Sequence, residues 1–167
     1  MPSKDLTLEP GTTLIREVAV QYRGNRRSLP SPIRSGADVV RLVRKLVAGD
    51  AREHFITVLV NGRHHPIGYQ VVAVGTATAS LVHPREVFQA AVGAGAVAIV
   101  VAHNHPSGDP SPSAEDRSVT KRLVEAGNLL GIRVLDHVVV TPDGYFAFRE
   151  HAEELFRGPD VDSNTAL

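Results

Sequence analysis

Two histidines, His103 and His105, stand two residues apart at the end of the apolar run Ala96 to Ala102. In extended backbone, residues i and i+2 point to the same side, so both imidazoles can aim at one point. Pro106 then stops the strand and turns the chain. Asp116 falls on the first turn of a helix opened by Ser113, and a loop of this length can bring it back beside the strand end. Two neutral imidazoles and one carboxylate form the three-ligand set of a catalytic zinc site, which leaves the fourth tetrahedral position to water. The same residues also have a plainer reading. Ser113-Ala114-Glu115-Asp116 is a helix N-cap with an acidic third position, which the macrodipole favours without any metal. On residue type and spacing alone, the two readings stand level. The string His103-Asn104-His105 spells the name of the HNH endonucleases, but those enzymes spread their signature residues over a ββα hairpin. Contiguity counts against them here.

Composition narrows the chemistry further. The 167 residues contain no cysteine, which excludes disulfides, thiolate zinc sites and a Cys nucleophile. Any transition metal must be held by His, Asp or Glu. The longest apolar run, Ala96 to Ala102, is far short of the ~20 residues of a membrane-spanning helix, and the N-terminus lacks the apolar segment of a secretory signal. A cytoplasmic protein without membrane contact is expected. The net charge of zero hides a gradient: residues 1–50 carry nine Lys/Arg against five Asp/Glu, and residues 51–167 carry nine against thirteen. Between Arg16 and Lys45 there are eight basic residues (Arg16, Arg23, Arg26, Arg27, Arg34, Arg41, Arg44 and Lys45) and two acidic ones. That stretch is either a footprint for nucleic acid or an acidic partner, or a solvated face. Tyr22 is the only aromatic interleaved with it, so the solvated face is the favoured reading.

Alternating strands and helices must position the site. Thr13 to Val20 reads as a short strand and Tyr22 to Gly36 as a punctuated linker. Ser35 with Asp38 opens a helix through Val39, Leu42, Val43, Leu46 and Val47 to Gly49. His54 to Val60 is a strand, Asn61-Gly62 a turn, and Ile67 to Val74 a second strand. Pro84 starts a helix with Val87, Phe88, Ala91 and Val92 on its apolar face. Ala96 to Ala102 is apolar on both sides, as a central strand is. The helix from Ser113 carries Val119, Leu123, Ala126 and Leu130 on one face and closes at Gly131. Ile132 to Val140 and Gly144 to Phe148 are the last strands. The predicted architecture is α/β, a mixed sheet flanked by helices. Residues 1–49 form an N-terminal strand, linker and helix, residues 50–157 the core domain, and residues 158–167 a loose tail.

His103-x-His105-Pro106, followed by Ser113 and Asp116 at eight and eleven residues beyond the second histidine, resembles the JAMM motif of the JAB/MPN metalloprotease superfamily. The chain is most similar to the RadC-like branch. The likeness extends over Arg52-Glu53-His54-Phe55, Val82-His83-Pro84-Arg85-Glu86, Thr120-Lys121-Arg122-Leu123, Leu135-Asp136-His137, Gly144-Tyr145 and Phe148-Arg149-Glu150. The resemblance implies a JAB/MPN-like sheet with cytidine-deaminase-like layering. It also implies one Zn²⁺ held by His103, His105 and Asp116, with Glu53 handling the proton of the attacking water and Ser113 helping to polarise the scissile carbonyl. The implied activity is zinc-dependent hydrolysis of a peptide or isopeptide bond in a protein substrate. The alternative is a DNA-associated accessory protein or metal-dependent nuclease, after the family's repair label. RadC-like proteins usually carry an N-terminal helix-hairpin-helix module, which the first 50 residues are not expected to supply, so a protein substrate is favoured over nucleic acid. A homo-oligomer is left open. Family members commonly have Asp where this chain has Asn61, and only a local effect on the turn is expected. Asp136-His137 reads equally as a pair orienting a ligand imidazole or as strand residues satisfied by backbone. His83 reads as fixing a helix start, and His64 and His65 as a polar turn.

Overall fold

The computed structural model describes Gln21, residues 31–75 and residues 82–157. The strand expected at Thr13 to Val20, most of the linker and the tail from residue 158 lie outside the described residues. The elements are α1 (Gly36–Leu46), β1 (His54–Val60), β2 (Pro66–Val74), α2 (Pro84–Gly93), β3 (Ala98–Asn104), α3 (Ala114–Leu130), β4 (Arg133–Val140), β5 (Tyr145–Ala147) and the single turn α4 (Phe148–His151). The sheet order is β2-β1-β3-β4-β5. β3 and β4 run parallel while the other neighbours are antiparallel, so the expected mixed sheet is the one observed.

Every residue of β1 and of β3 is buried, because helices cover both faces of the central strands. On one face Phe55, Leu59, Ile99, Val101 and Val134 pack against Val87, Phe88 and Ala91 of α2 and Val119, Leu123 and Val124 of α3. On the other, Val39, Val40 and Val43 of α1 cover Ile56, Val58, Val100, Ala102 and Val138. Asp38 accepts from the Ser35 backbone N–H at 3.1 Å and so caps α1. The helix is further tied by Arg44, whose guanidinium donates to the Thr141 carbonyl at 2.8 Å and the Gly144 carbonyl at 3.3 Å.

Three details depart from the sequence reading. The β1–β2 turn spans five residues, and Asn61 Oδ1 accepts from the backbone N–H groups of Arg63 (2.9 Å) and His65 (3.1 Å). An Asp oxygen would accept the same two bonds, so the departure from the family pattern is confined to the turn. Val92 is 58% exposed and Leu130 49%, since both sit on last turns that run past the sheet. The final strand ends at Ala147, and Phe148 instead begins a helical turn.

Close approach explains one glycine. A Cβ on Gly127 would lie 2.5 Å from the Ile132 carbonyl oxygen and 3.2 Å from the Phe88 ring. Gly127→Ala is therefore expected to destabilise the fold by about 1–3 kcal/mol despite alanine's better helix propensity. Urea unfolding checks this, and an unchanged midpoint would contradict the packing.

Candidate metal centre

The carboxyl end of β3 and the N-terminus of α3 meet where a parallel strand hands over to its crossover helix. His103 belongs to the β3 ladder, and His105 follows one residue beyond it, its N–H donating to the Val140 carbonyl at 2.8 Å. Asp116 is the third residue of α3, inside a capping box with Ser113. The Ser113 N–H and Oγ–H both donate to Asp116 Oδ2 at 2.7 Å, and the Asp116 N–H donates back to Ser113 Oγ at 3.0 Å. Asp116 belongs both to the cap and to the candidate ligand cluster, so the two readings are compatible.

Three side chains converge there. His103 Nε2 lies 3.0 Å from His105 Nε2 and 3.2 Å from Asp116 Oδ1, and His105 Nε2 lies 3.8 Å from Asp116 Oδ2. Ligands at ~2.05 Å on a tetrahedral centre stand ~3.3 Å apart, so these separations fit a single ion. His103 and Asp116 are buried and His105 is half-buried, which leaves the cluster open on one side.

The hydrogen bonds behind the cluster fix its tautomers. A carbonyl only accepts, so the Thr120 hydroxyl must donate to the Asp116 carbonyl at 2.5 Å. That hydroxyl then accepts from His137 Nδ1–H at 2.6 Å. His137 is wholly buried, and burial holds its imidazole well below the usual range, so it is neutral and its Nε2 is an acceptor. His103 Nδ1–H donates to it at 2.8 Å. His105 Nδ1–H donates to the Asp109 carbonyl at 2.8 Å. In neutral rings, both Nε2 lone pairs therefore face each other and a carboxylate with no donor between them. A cation would satisfy this arrangement. A proton on His103 would do so in part, and a divalent ion would do so for all three groups. Burial raises the Asp116 carboxyl, but when the His103 ring carries a proton, the hydrogen bond to it, its charge and the Ser113 bonds outweigh burial and hold Asp116 well below the usual carboxylate range.

An apolar ring lies beneath the imidazoles. Phe55 stacks on His103 at 6.0 Å between centroids and lies 5.5 Å from His137, while Phe148 stacks on His137 at 4.9 Å. The residues expected to work beside the cluster occupy different positions. Glu53 is half-buried and directly precedes β1. The antiparallel register pairs Phe55 with His103, and continuing it by two residues sets Glu53 abreast of His105. Ser113 has its hydroxyl committed to Asp116, so polarising a substrate carbonyl would require it to leave that bond. The Asp136-His137 pair divides. His137 supports His103, whereas Asp136 Oδ1 accepts from the backbone N–H groups of His137 and Arg149 at 2.8 Å each, and burial pushes its carboxyl up to about 6. His83 caps α2 by accepting from the Arg85 N–H. Thr120 carried no assigned role in the sequence reading, although it sits one turn beyond Asp116 on the same helix face.

Thr120→Val keeps the volume and removes the hydroxyl that anchors His137. Zinc affinity measured by competition with a chromogenic chelator is expected to fall ~10–100-fold. An affinity within threefold of the parent would show that the Thr120–His137 chain does not orient His103.

A mixed-sheet α/β domain with a His-His-Asp cluster at a strand end is the class that fold and site define. The chain matches the family described as RadC-like JAB domain over residues 33–154, and it belongs to that family. Its relatives include UPF0758 proteins of Rubrobacter xylanophilus (49% identical over 138 residues, 83% of this chain and 59% of the relative) and Caldanaerobacter subterraneus (44% over 138 residues, 83% and 58%). A third, from Symbiobacterium thermophilum, is 56% identical over 98 residues, 59% of this chain and 42% of the relative. The chain thus spans about three fifths of the length of the first two. Among the described residues, no helix is long and apolar enough to cross a membrane.

Proposed function

We propose that this chain is a zinc-dependent metallohydrolase of the JAMM type that cleaves amide bonds in a peptide or protein substrate, acting in the cytoplasm. The observation that carries the proposal is the convergence of one possible ligand atom from each of His103, His105 and Asp116. A zinc ion bound there would lower the pKa of water to about 7 and polarise a carbonyl. Glu53 would accept the proton of the attacking water and return it to the leaving amine nitrogen. Ser113 Oγ, released from Asp116, would donate to the developing oxyanion. His137, itself bonded to Thr120, orients the His103 ring through its Nδ1, with Nε2 turned to the cluster. One metal with one general base suits attack on a carbonyl, whereas many nucleases use two metals or oxygen-rich Mg²⁺ sites.

Two of the four described basic residues of the stretch have partners within the fold. Arg44 is spent on backbone carbonyls, and Arg41 pairs with Asp38. Incubating a fluorescent peptide and a plasmid separately with zinc-loaded and with chelated protein tests the reading. Zinc-dependent peptide cleavage with intact plasmid is the expected result. Zinc-dependent nicking of the plasmid with an untouched peptide would overturn it in favour of a nuclease.

A further inference from the structure

We propose that Asn104, the residue between the two ligand histidines, is a positioning residue for Glu53. The proposal rests on reading Glu53 as the base. Side chains alternate along an extended chain, so His103 and His105 turn to the cluster while Asn104 turns away from it. Its amide instead crosses to the start of β1. There Oδ1 accepts from the His54 N–H at 2.8 Å and Nδ2 donates to the Arg52 carbonyl at 2.9 Å. One planar group thus grips the peptide on either side of Glu53. His54 Nδ1–H adds a second bond to the Arg52 carbonyl at 2.9 Å, and on the opposite edge the Gly75 N–H donates to the Glu53 carbonyl at 2.9 Å.

The chemistry is particular to an amide. Aspartate can accept from the His54 N–H but offers the Arg52 carbonyl no donor, and an alkyl side chain offers neither. Asn104 and His54 are each 8% exposed, so water does not readily replace a lost bond. A three-residue run therefore carries two metal ligands on one side and, on the other, the clamp that sets the base's backbone against them.

The test uses zinc-loaded protein and two probes. Acetohydroxamate chelates zinc and shares its hydroxyl proton with a neighbouring carboxylate, whereas 2-mercaptoethanol binds through sulfur alone. Asn104→Ala is expected to keep zinc affinity within about threefold and bind the thiol normally, but to weaken acetohydroxamate roughly tenfold, as loss of one hydrogen bond would. Glu53→Gln should show the same split, and the double variant should bind no more weakly than Glu53→Gln alone. Asn104→Asp, which retains the acceptor, should fall between parent and Asn104→Ala; should Asn104→Ala not fold, its split against the parent decides the outcome. Normal hydroxamate binding by the Asn104 variants beside a weakened Glu53→Gln would overturn the clamp and leave Glu53 as the base. Additive losses in the double variant would also overturn it, as would loss of zinc from both Asn104 variants, since Asn104 would then be supporting the ligands. Normal hydroxamate binding by Glu53→Gln would overturn the reading of Glu53, and the clamp with it.

Discussion

Glu53→Gln is expected to keep about one zinc per chain while peptide hydrolysis falls by ~10²–10⁴. The substitution preserves shape and hydrogen-bonding reach but leaves an amide that accepts no proton at working pH. The candidate ligand cluster comprises His103, His105 and Asp116 without Glu53, so metal content and turnover should separate. Elemental analysis and peptide kinetics on one sample check both halves. A variant that loses its zinc would make Glu53 a ligand or a structural support. One that keeps full turnover would remove it from the chemistry.

His103→Ala should abolish metal binding, from about one zinc per chain to less than a tenth. His103 is the centre of the arrangement: its Nε2 faces both other ligands and its Nδ1–H feeds the His137–Thr120 chain. Alanine removes a ligand, strips His137 Nε2 of its donor and leaves a void against Phe55, so no neighbour can substitute. Elemental analysis after zinc loading and desalting reads the result. A parent protein holding less than a tenth of an equivalent would sink the metal centre itself.

The convergence of His103, His105 and Asp116 was legible because its rules are local. Alternation aligns His103 with His105, and a cap signature marks Asp116 as third in its helix. The support behind it was not legible, because it depends on pairing between β3 and β4. Ile99 pairs with Val134 but Val100 pairs with Asp136, a register shift that no alternation rule anticipates. That shift decides which of Asp136 and His137 reaches the cluster, and the sequence left the two equivalent. Thr120 was hidden for the same reason, since its partner lies on β4. Asn104 was obscured because the spacing argument treats the middle residue of His-x-His as filler. Periodicity also cannot show where a helix outruns its sheet, hence the exposed Val92 and Leu130. Arg44 read as surface charge until the fold brought the Thr141 and Gly144 carbonyls within its reach.

The ring of Phe55 beneath His103 and His137 insulates them electrically. It keeps the local dielectric low where the chain of imidazoles meets the core, so each charge or dipole there acts at nearly full strength. The affinity for a bound metal, and the acidity of water on it, would then be set partly by hydrocarbon that touches neither. A smaller side chain at this position would admit solvent beneath the histidines. Water would compete for the Nδ1–H of His103 and screen the Asp116 carboxylate from a bound ion. Packing in the middle of this sheet is in that sense part of its electrostatics.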